Sequence, residues 1–280
     1  MWHHRIPTLD ESNVCITMSG TNALLDIFLA IVNPGDKVMI PEPYFPLYPP
    51  DVVICGGEPS FYPCRFENGF VPTISELEEI VDDSTVAILY NFPSNPTGGN
   101  VDERQRDELV EFARANDLWL ITDEGYDRIV YDSPHVSFLG AGYDKLVMVQ
   151  SFSKTFAMTG WRIGYLLSPD PDLMRELTKM QYYVTACSND AMQHAVLEAL
   201  ERYPGYPEEM CAEFKERRDL ICERLNAIPG VSCHVPTGAF YVFPKVEVPG
   251  MNSEEVALKL LEGGVLCSPG TAFGEAGEGH

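Results

Sequence analysis

The sequence predicts an α/β protein: a three-layer αβα sandwich around a mostly parallel sheet, followed by an incomplete smaller α+β domain at the C-terminus. Three observations carry this expectation. Short apolar runs alternate with helical periodicities along the chain. The run Val86-Ala87-Ile88-Leu89-Tyr90 is continuously apolar, as in a strand buried on both faces. Turn-rich loops follow successive strands at their carboxyl ends, where open α/β sheets keep their ligands.

In order, Val14-Cys15-Ile16-Thr17-Met18 reads as a short strand. Ser19-Gly20-Thr21-Asn22 leads into apolar positions 23, 24, 27, 28 and 31, a helical stripe. Strand, glycine turn and helix aim free N–H groups at an anion, unless Ser19 or Thr21 merely caps an ordinary helix. Asn33-Pro34-Gly35-Asp36 ends that helix, and Val38-Met39-Ile40 is the next strand. Residues 41–48 are too proline-rich for regular structure. Phe45 there either stacks on a flat cofactor or plugs core. Residues 52–55 read as a helix end, 58–62 as a strand and 74–81 as a short acidic helix.

The strand 86–90 opens into Asn91-Phe92-Pro93-Ser94-Asn95-Pro96-Thr97-Gly98-Gly99. Asn95 precedes a proline, so its backbone is held extended and its amide either projects or serves a turn. A helix over 102–116 and a strand over 118–122 lead to Asp123-Glu124-Gly125-Tyr126. A carboxylate at the end of a buried strand calls for a partner, either a protonated ring nitrogen or a helix terminus. Tyr126 shares its turn.

After the strand 146–150 comes Ser151-Phe152-Ser153-Lys154-Thr155, with Arg162 eight positions beyond Lys154 and a strand over 162–167. A lysine among hydroxyls near a guanidinium can hold an aldehyde as a Schiff base while its neighbours hold a phosphate; taken alone, the stretch leaves the surface-lysine reading ahead. Helices are expected over 170–183 and 190–200. Pro204-Gly205-Tyr206-Pro207 then divides the chain into a large domain, 1–203, and a smaller one, 204–280. The latter carries a helix over 208–228, a strand over 238–243, a helix over 253–261 and a strand over 265–267.

Composition narrows the function classes. The 280 residues carry 19 Lys+Arg against 42 Asp+Glu, a formal charge of −23, which disfavours a nucleic-acid partner bound through a basic face. Eight cysteines are scattered without a Cys-x-x-Cys pair, the pattern of a reduced, cytoplasmic chain. The histidines have no ligand spacing, so no metal site is expected. Met1-Trp2-His3-His4-Arg5 is not followed by a signal-like apolar core, and the apolar stretches are too short to span a bilayer.

Taken together, Ser19-Gly20-Thr21, Asn33-Pro34-Gly35-Asp36, Pro43-Tyr44-Phe45, Asn95-Pro96-Thr97-Gly98, Asp123-Glu124-x-Tyr126, Ser151-x-Ser153-Lys154 with Arg162, and Pro269-Gly270-x-x-Phe273-Gly274 resemble the fold type I, class I/II aminotransferases that depend on pyridoxal phosphate. The resemblance runs from about residue 14 to the end. It implies transamination between an amino acid and a 2-oxo acid, with Lys154 holding the cofactor as a Schiff base and moving the substrate proton. It implies that Asp123 pairs with the pyridinium nitrogen and that Asn95 and Tyr126 hydrogen-bond the phenolic oxygen. It also implies that Phe45 stacks on the ring, and that Gly20, Thr21, Ser151, Ser153 and Arg162 hold the phosphate. A homodimer follows from the same resemblance.

Two departures qualify it. The family's N-terminal segment and its C-terminal carboxylate-binding arginine are expected to be missing from these 280 residues. The alternatives are a lyase of the same fold, which would use the same cofactor residues, and a truncated, catalytically impaired paralogue.

Overall fold

The computed structural model describes residues 9–280; Met1-Trp2-His3-His4-Arg5, where no signal-like core is expected, lies outside the described residues. The elements run β1 (Val14–Thr17), α1 (Gly20–Ile31), β2 (Lys37–Glu42), α2 (Tyr48–Ile54), β3 (Glu58–Pro63), α3 (Ile74–Glu78), β4 (Thr85–Asn91), α4 (Glu103–Ala115) and β5 (Trp119–Asp123). They continue with β6 (Leu146–Ser151), α5 (Phe152–Thr155), β7 (Gly164–Leu167), α6 (Pro171–Thr185), α7 (Asp190–Arg202), α8 (Tyr206–Asn226), β8 (Val231–Ser232), β9 (Lys245–Val246) and α9 (Ser253–Glu262).

Among the described residues, the main sheet has seven strands in the order β1-β7-β6-β5-β4-β2-β3. The pairs β2–β3, β2–β4, β4–β5 and β5–β6 are parallel. Strand β7 runs antiparallel to both its neighbours, β1 and β6. Side chains alternate across a strand, and here both sets are buried. Ile88 and Tyr90 of β4 join Leu120 and Met148 in one core, over which α3 and α4 lay Leu77, Leu109 and Phe112. Ala87 and Leu89 join Ile121, Val147 and Val149 in the other, against Leu24 and Phe28 of α1 and Leu173 and Leu177 of α6. Helices on both faces of a sheet make the expected three layers.

Local chemistry sets most boundaries. Asp102 and Gln105 form a reciprocal cap at the start of α4. Asp170 caps α6, with proline in the first turn. Residues 41–48 are expected to be irregular throughout, yet β2 continues to Glu42 and α2 begins at Tyr48. Pro49 and Pro50 sit in the first turn of α2, where the missing N–H costs nothing.

Two expected strands do not form. Residues 238–243 make only an isolated bridge, Gly238 to Val130. Their backbone works instead as a strap: Thr237 and Gly238 donate to the Gly98 carbonyl at 3.1 Å, and Ala239 donates to the Ile129 carbonyl at 2.8 Å. Residues 265–267 are coil, with the Val265 N–H returned to Leu260 of α9 at 2.9 Å and Leu266 exposed. An apolar run becomes a strand only where another strand edge accepts it. Among the described residues, no helix is long and apolar enough to cross a membrane, and no cluster of His, Cys, Asp and Glu could hold a metal ion.

Candidate functional site

Parallel strands bring their carboxyl ends to one edge of the sheet, and that edge collects the expected site residues. There β1 delivers Ser19, Gly20 and Thr21, β2 delivers Phe45, and β4 delivers Asn95. Strand β5 ends on Asp123, and β6 delivers Ser151, Ser153 and Lys154. Because β7 is antiparallel, its start lies at the same edge, which places Arg162 there too. Asp123 is in register with Asn91 on one side and Val149 on the other.

Asp123 sits low in this edge. Its Oδ2 accepts from the hydroxyl of fully buried Tyr48 at 2.8 Å, and its Oδ1 accepts from Gly125 N–H at 3.1 Å. Burial pushes this carboxyl above the usual carboxylate range, while the Tyr48 and Gly125 hydrogen bonds and the charge of Lys154 oppose the rise. A carboxylate so placed favours a cationic partner.

Lys154 lies in the one-turn helix α5, with its Nζ 5.6 Å from the centre of the Tyr126 ring and 5.4 Å from that of Phe240. Burial lowers its pKa, opposed by Asp123 and aided by Arg162. A half-buried lysine with a depressed pKa presents more free amine, the nucleophilic form. Tyr126 is buried, and its hydroxyl meets the Asn95 side chain and the Tyr241 hydroxyl, the latter at 2.6 Å. Asn91 accepts from Asn95 N–H at 2.7 Å and donates to the Asp123 carbonyl at 3.0 Å, tying the ends of β4 and β5 together. Phe45 rests edge-on against Tyr48, ring centres 5.4 Å apart.

An anion cradle lies beside this pair. Helix α1 starts at Gly20 and is capped by Ser19, whose hydroxyl accepts from Asn22 N–H. The first N–H groups of a helix have no acceptor within it. Arg162 crosses to the same spot: Nη2 donates to Thr21 Oγ1 at 3.4 Å and Nη1 to the Thr159 carbonyl at 2.9 Å. Arg162 holds φ at 54°, an unusual left-handed conformation for a non-glycine residue. The approach of β7 to α1 is very close. A Cβ on Gly164 would meet the Gln150 carbonyl oxygen at 2.6 Å and Gly20 N at 2.8 Å. Ser151 Oγ accepts from Ser153 N–H at 3.3 Å and so caps α5.

This donor set fits a phosphorylated pyridine aldehyde. Free N–H groups and a guanidinium suit its phosphate, a half-buried carboxylate suits its ring nitrogen, and a lysine of lowered pKa suits its aldehyde.

The family model "Aminotransferase class I and II" matches residues 2–280. The chain belongs to that family. It is 36% identical over 276 residues to the aspartate aminotransferase of Pyrococcus horikoshii, a match covering 97% of this chain and 70% of the relative. It is 35% identical over 284 residues to aromatic-amino-acid aminotransferase 2 of Thermococcus litoralis, covering 99% of this chain and 72% of that one. In three dimensions it is similar to the alanine aminotransferase of Pyrococcus furiosus, with TM-score 0.93, 36% identity, and coverage of 97% of this chain and 71% of that chain. The chain is thus an aminotransferase enzyme of α/β fold, and its family implies pyridoxal phosphate as cofactor. The names of these relatives point to three different kinds of amino acid, so what they share is the common chemistry and not one substrate side chain.

Sequence reasoning assigns no role to Tyr48, Asn91, Phe240, Tyr241 or Gly164. Tyr48 follows Phe45 by three positions and Asn91 precedes Asn95 by four, spacings that one turn can bring together. Nothing local signals Tyr241, which is 115 residues from Tyr126.

Proposed function

We propose that this edge of the sheet binds pyridoxal 5'-phosphate and carries transamination between an amino acid and a 2-oxo acid, with Lys154 as the reacting amine. The strongest support is the meeting of a half-buried, pKa-depressed lysine, a half-buried carboxylate and an anion cradle at one edge of the sheet. When bound, the cofactor supplies an electron-withdrawing ring that accepts the electron pair left by the departing α-proton.

The chain's own residues do the rest. Gly20 and Thr21 N–H groups, Ser151, Ser153 and Arg162 bind the phosphate, with Arg162 able to do so through two parallel donors. Asp123, steadied by Tyr48 and Gly125, holds a proton at the ring nitrogen. Asn95 and Tyr126 donate toward the phenolic oxygen, and Phe45 supplies an aromatic surface. Lys154 provides the amine that holds the aldehyde carbon and, once the substrate amine has replaced it, moves the proton at the substrate α-carbon. A cytoplasmic homodimer, divided into a large domain over 1–203 and a small one over 204–280, completes the reading. The domain division is supported by strands β1 to β7, which all precede residue 204.

Pyridoxal phosphate added to purified protein should give an absorbance band that survives dialysis and that Lys154→Ala abolishes. Folded wild type without such a band would refute the assignment. Analytical ultracentrifugation tests the dimer.

A further inference from the structure

We propose that Tyr241 is a positioning residue that sets the strength of the Tyr126 hydrogen bond to the cofactor, and so makes the C-terminal strap part of the electronic tuning of the site. This rests on the function proposed above, in which the Tyr126 hydroxyl donates to the cofactor's phenolic oxygen.

A phenol has one proton to donate and two acceptor positions. The Tyr126 and Tyr241 hydroxyls lie 2.6 Å apart, so one proton sits between them, and either oxygen can supply it in the free protein. The Asn95 side chain also bonds the Tyr126 hydroxyl. Once Tyr126 commits its proton to the cofactor, the direction of the pair is decided: Tyr241 must donate and Tyr126 must accept. A donor that itself accepts a hydrogen bond is a stronger donor, because the two bonds polarise one another. Asn95 and Tyr241 therefore reinforce the same bond from distant parts of the chain.

Tyr241 is held firmly enough to do this. The strap that carries it is fastened at several points. Tyr131 N–H donates to the Thr237 carbonyl at 2.9 Å, and the buried Tyr131 hydroxyl donates to the Ala239 carbonyl at 2.6 Å. Ala239 is fully buried, and its N–H donates to the Ile129 carbonyl at 2.8 Å. Thr237 and Gly238 both donate to the carbonyl of Gly98, which lies three positions after Asn95 in the same loop. The strap and the Asn95 loop are thus tied to each other as well as to Tyr126. Edge contacts complete the packing, with the Tyr126 ring against Phe240 at 5.4 Å and against Tyr241 at 5.6 Å between centres.

The test is a pH titration of the cofactor's absorbance in the loaded protein. Tyr241→Phe removes one hydroxyl and keeps the ring. It should raise the midpoint by about half a unit to one unit, because a weaker Tyr126 donor stabilises the deprotonated form less. In a Tyr126→Phe background the same substitution should add no further shift. As a second variant, 3-fluorotyrosine at position 241 keeps the hydroxyl and acidifies it, and should lower the midpoint. That variant decides the matter if Tyr241→Phe does not fold. An unchanged midpoint, a downward shift in Tyr241→Phe, or an equal shift in the Tyr126→Phe background would each overturn the coupling alone. A wild-type chain that takes up no cofactor would overturn both the coupling and the function on which it rests.

Discussion

Tyr48→Phe isolates the support of Asp123. The substitution keeps the ring, which is fully buried, and deletes the hydroxyl that donates to Asp123 Oδ2 at 2.8 Å. A hydrogen bond to a charged group contributes about 1.5–3 kcal/mol, equivalent to roughly one to two pKa units. The sign follows from linkage. Burial already holds the Asp123 carboxyl above its ordinary range, and Tyr48 is one of the bonds that restrain the rise. The Tyr48 contribution exists only while Asp123 is ionised, so it is present at high pH and is lost as pH falls through the folded-state pKa. Urea denaturation of the cofactor-free protein should therefore show Tyr48→Phe destabilised by about 1.5–3 kcal/mol near pH 8. The loss should be smaller near pH 4, because the raised folded-state pKa brings protonation of Asp123, and loss of the charged acceptor, on earlier as pH falls. In the loaded enzyme, the acid limb of the rate profile should move up by about one unit or more. Equal destabilisation at both pH values would mean that the hydroxyl acts only through packing, and that its bond to Asp123 contributes nothing specific to the ionised form.

Gly164→Ala should separate β7 from α1, since the added Cβ meets backbone atoms at 2.6 and 2.8 Å that have no rotamer to yield. A loss of about 1–3 kcal/mol in stability is expected, together with faster loss of cofactor on dialysis, read by melting and by absorbance. Asp26 is fully buried, its Oδ1 has no hydrogen-bond partner among the described residues, and burial pushes its pKa to about 7. A carboxyl with a raised folded pKa costs stability as pH rises from the ordinary carboxylate range to the folded value. Asp26→Asn should accordingly gain on the order of 2 kcal/mol near pH 8 and almost nothing near pH 4 in paired denaturation curves; a gain independent of pH would exclude titration as its cause.

Most of the main sheet, and the gathering of the candidate site residues at one of its edges, are legible from the residues alone. Apolar alternation and continuous runs mark β1, β4, β5 and β6 because burial on a sheet face is a local, period-two property. Asp123, Lys154 and Arg162 can be read because each lies beside a strand end, at the edge where parallel strands finish. The relations that needed the folded chain are non-local. The antiparallel course of β7, the Tyr48 bond across 75 residues and the Tyr126–Tyr241 pair across 115 depend on which strand edges and hydroxyls meet in space. The run 238–243 shows the same limit: its composition suits a strand, but its backbone and that of Thr237 bond loop carbonyls at Gly98 and Ile129, so it became a strap. Propensity acts within a segment, whereas hydrogen-bond pairing between segments is settled only when the chain closes on itself.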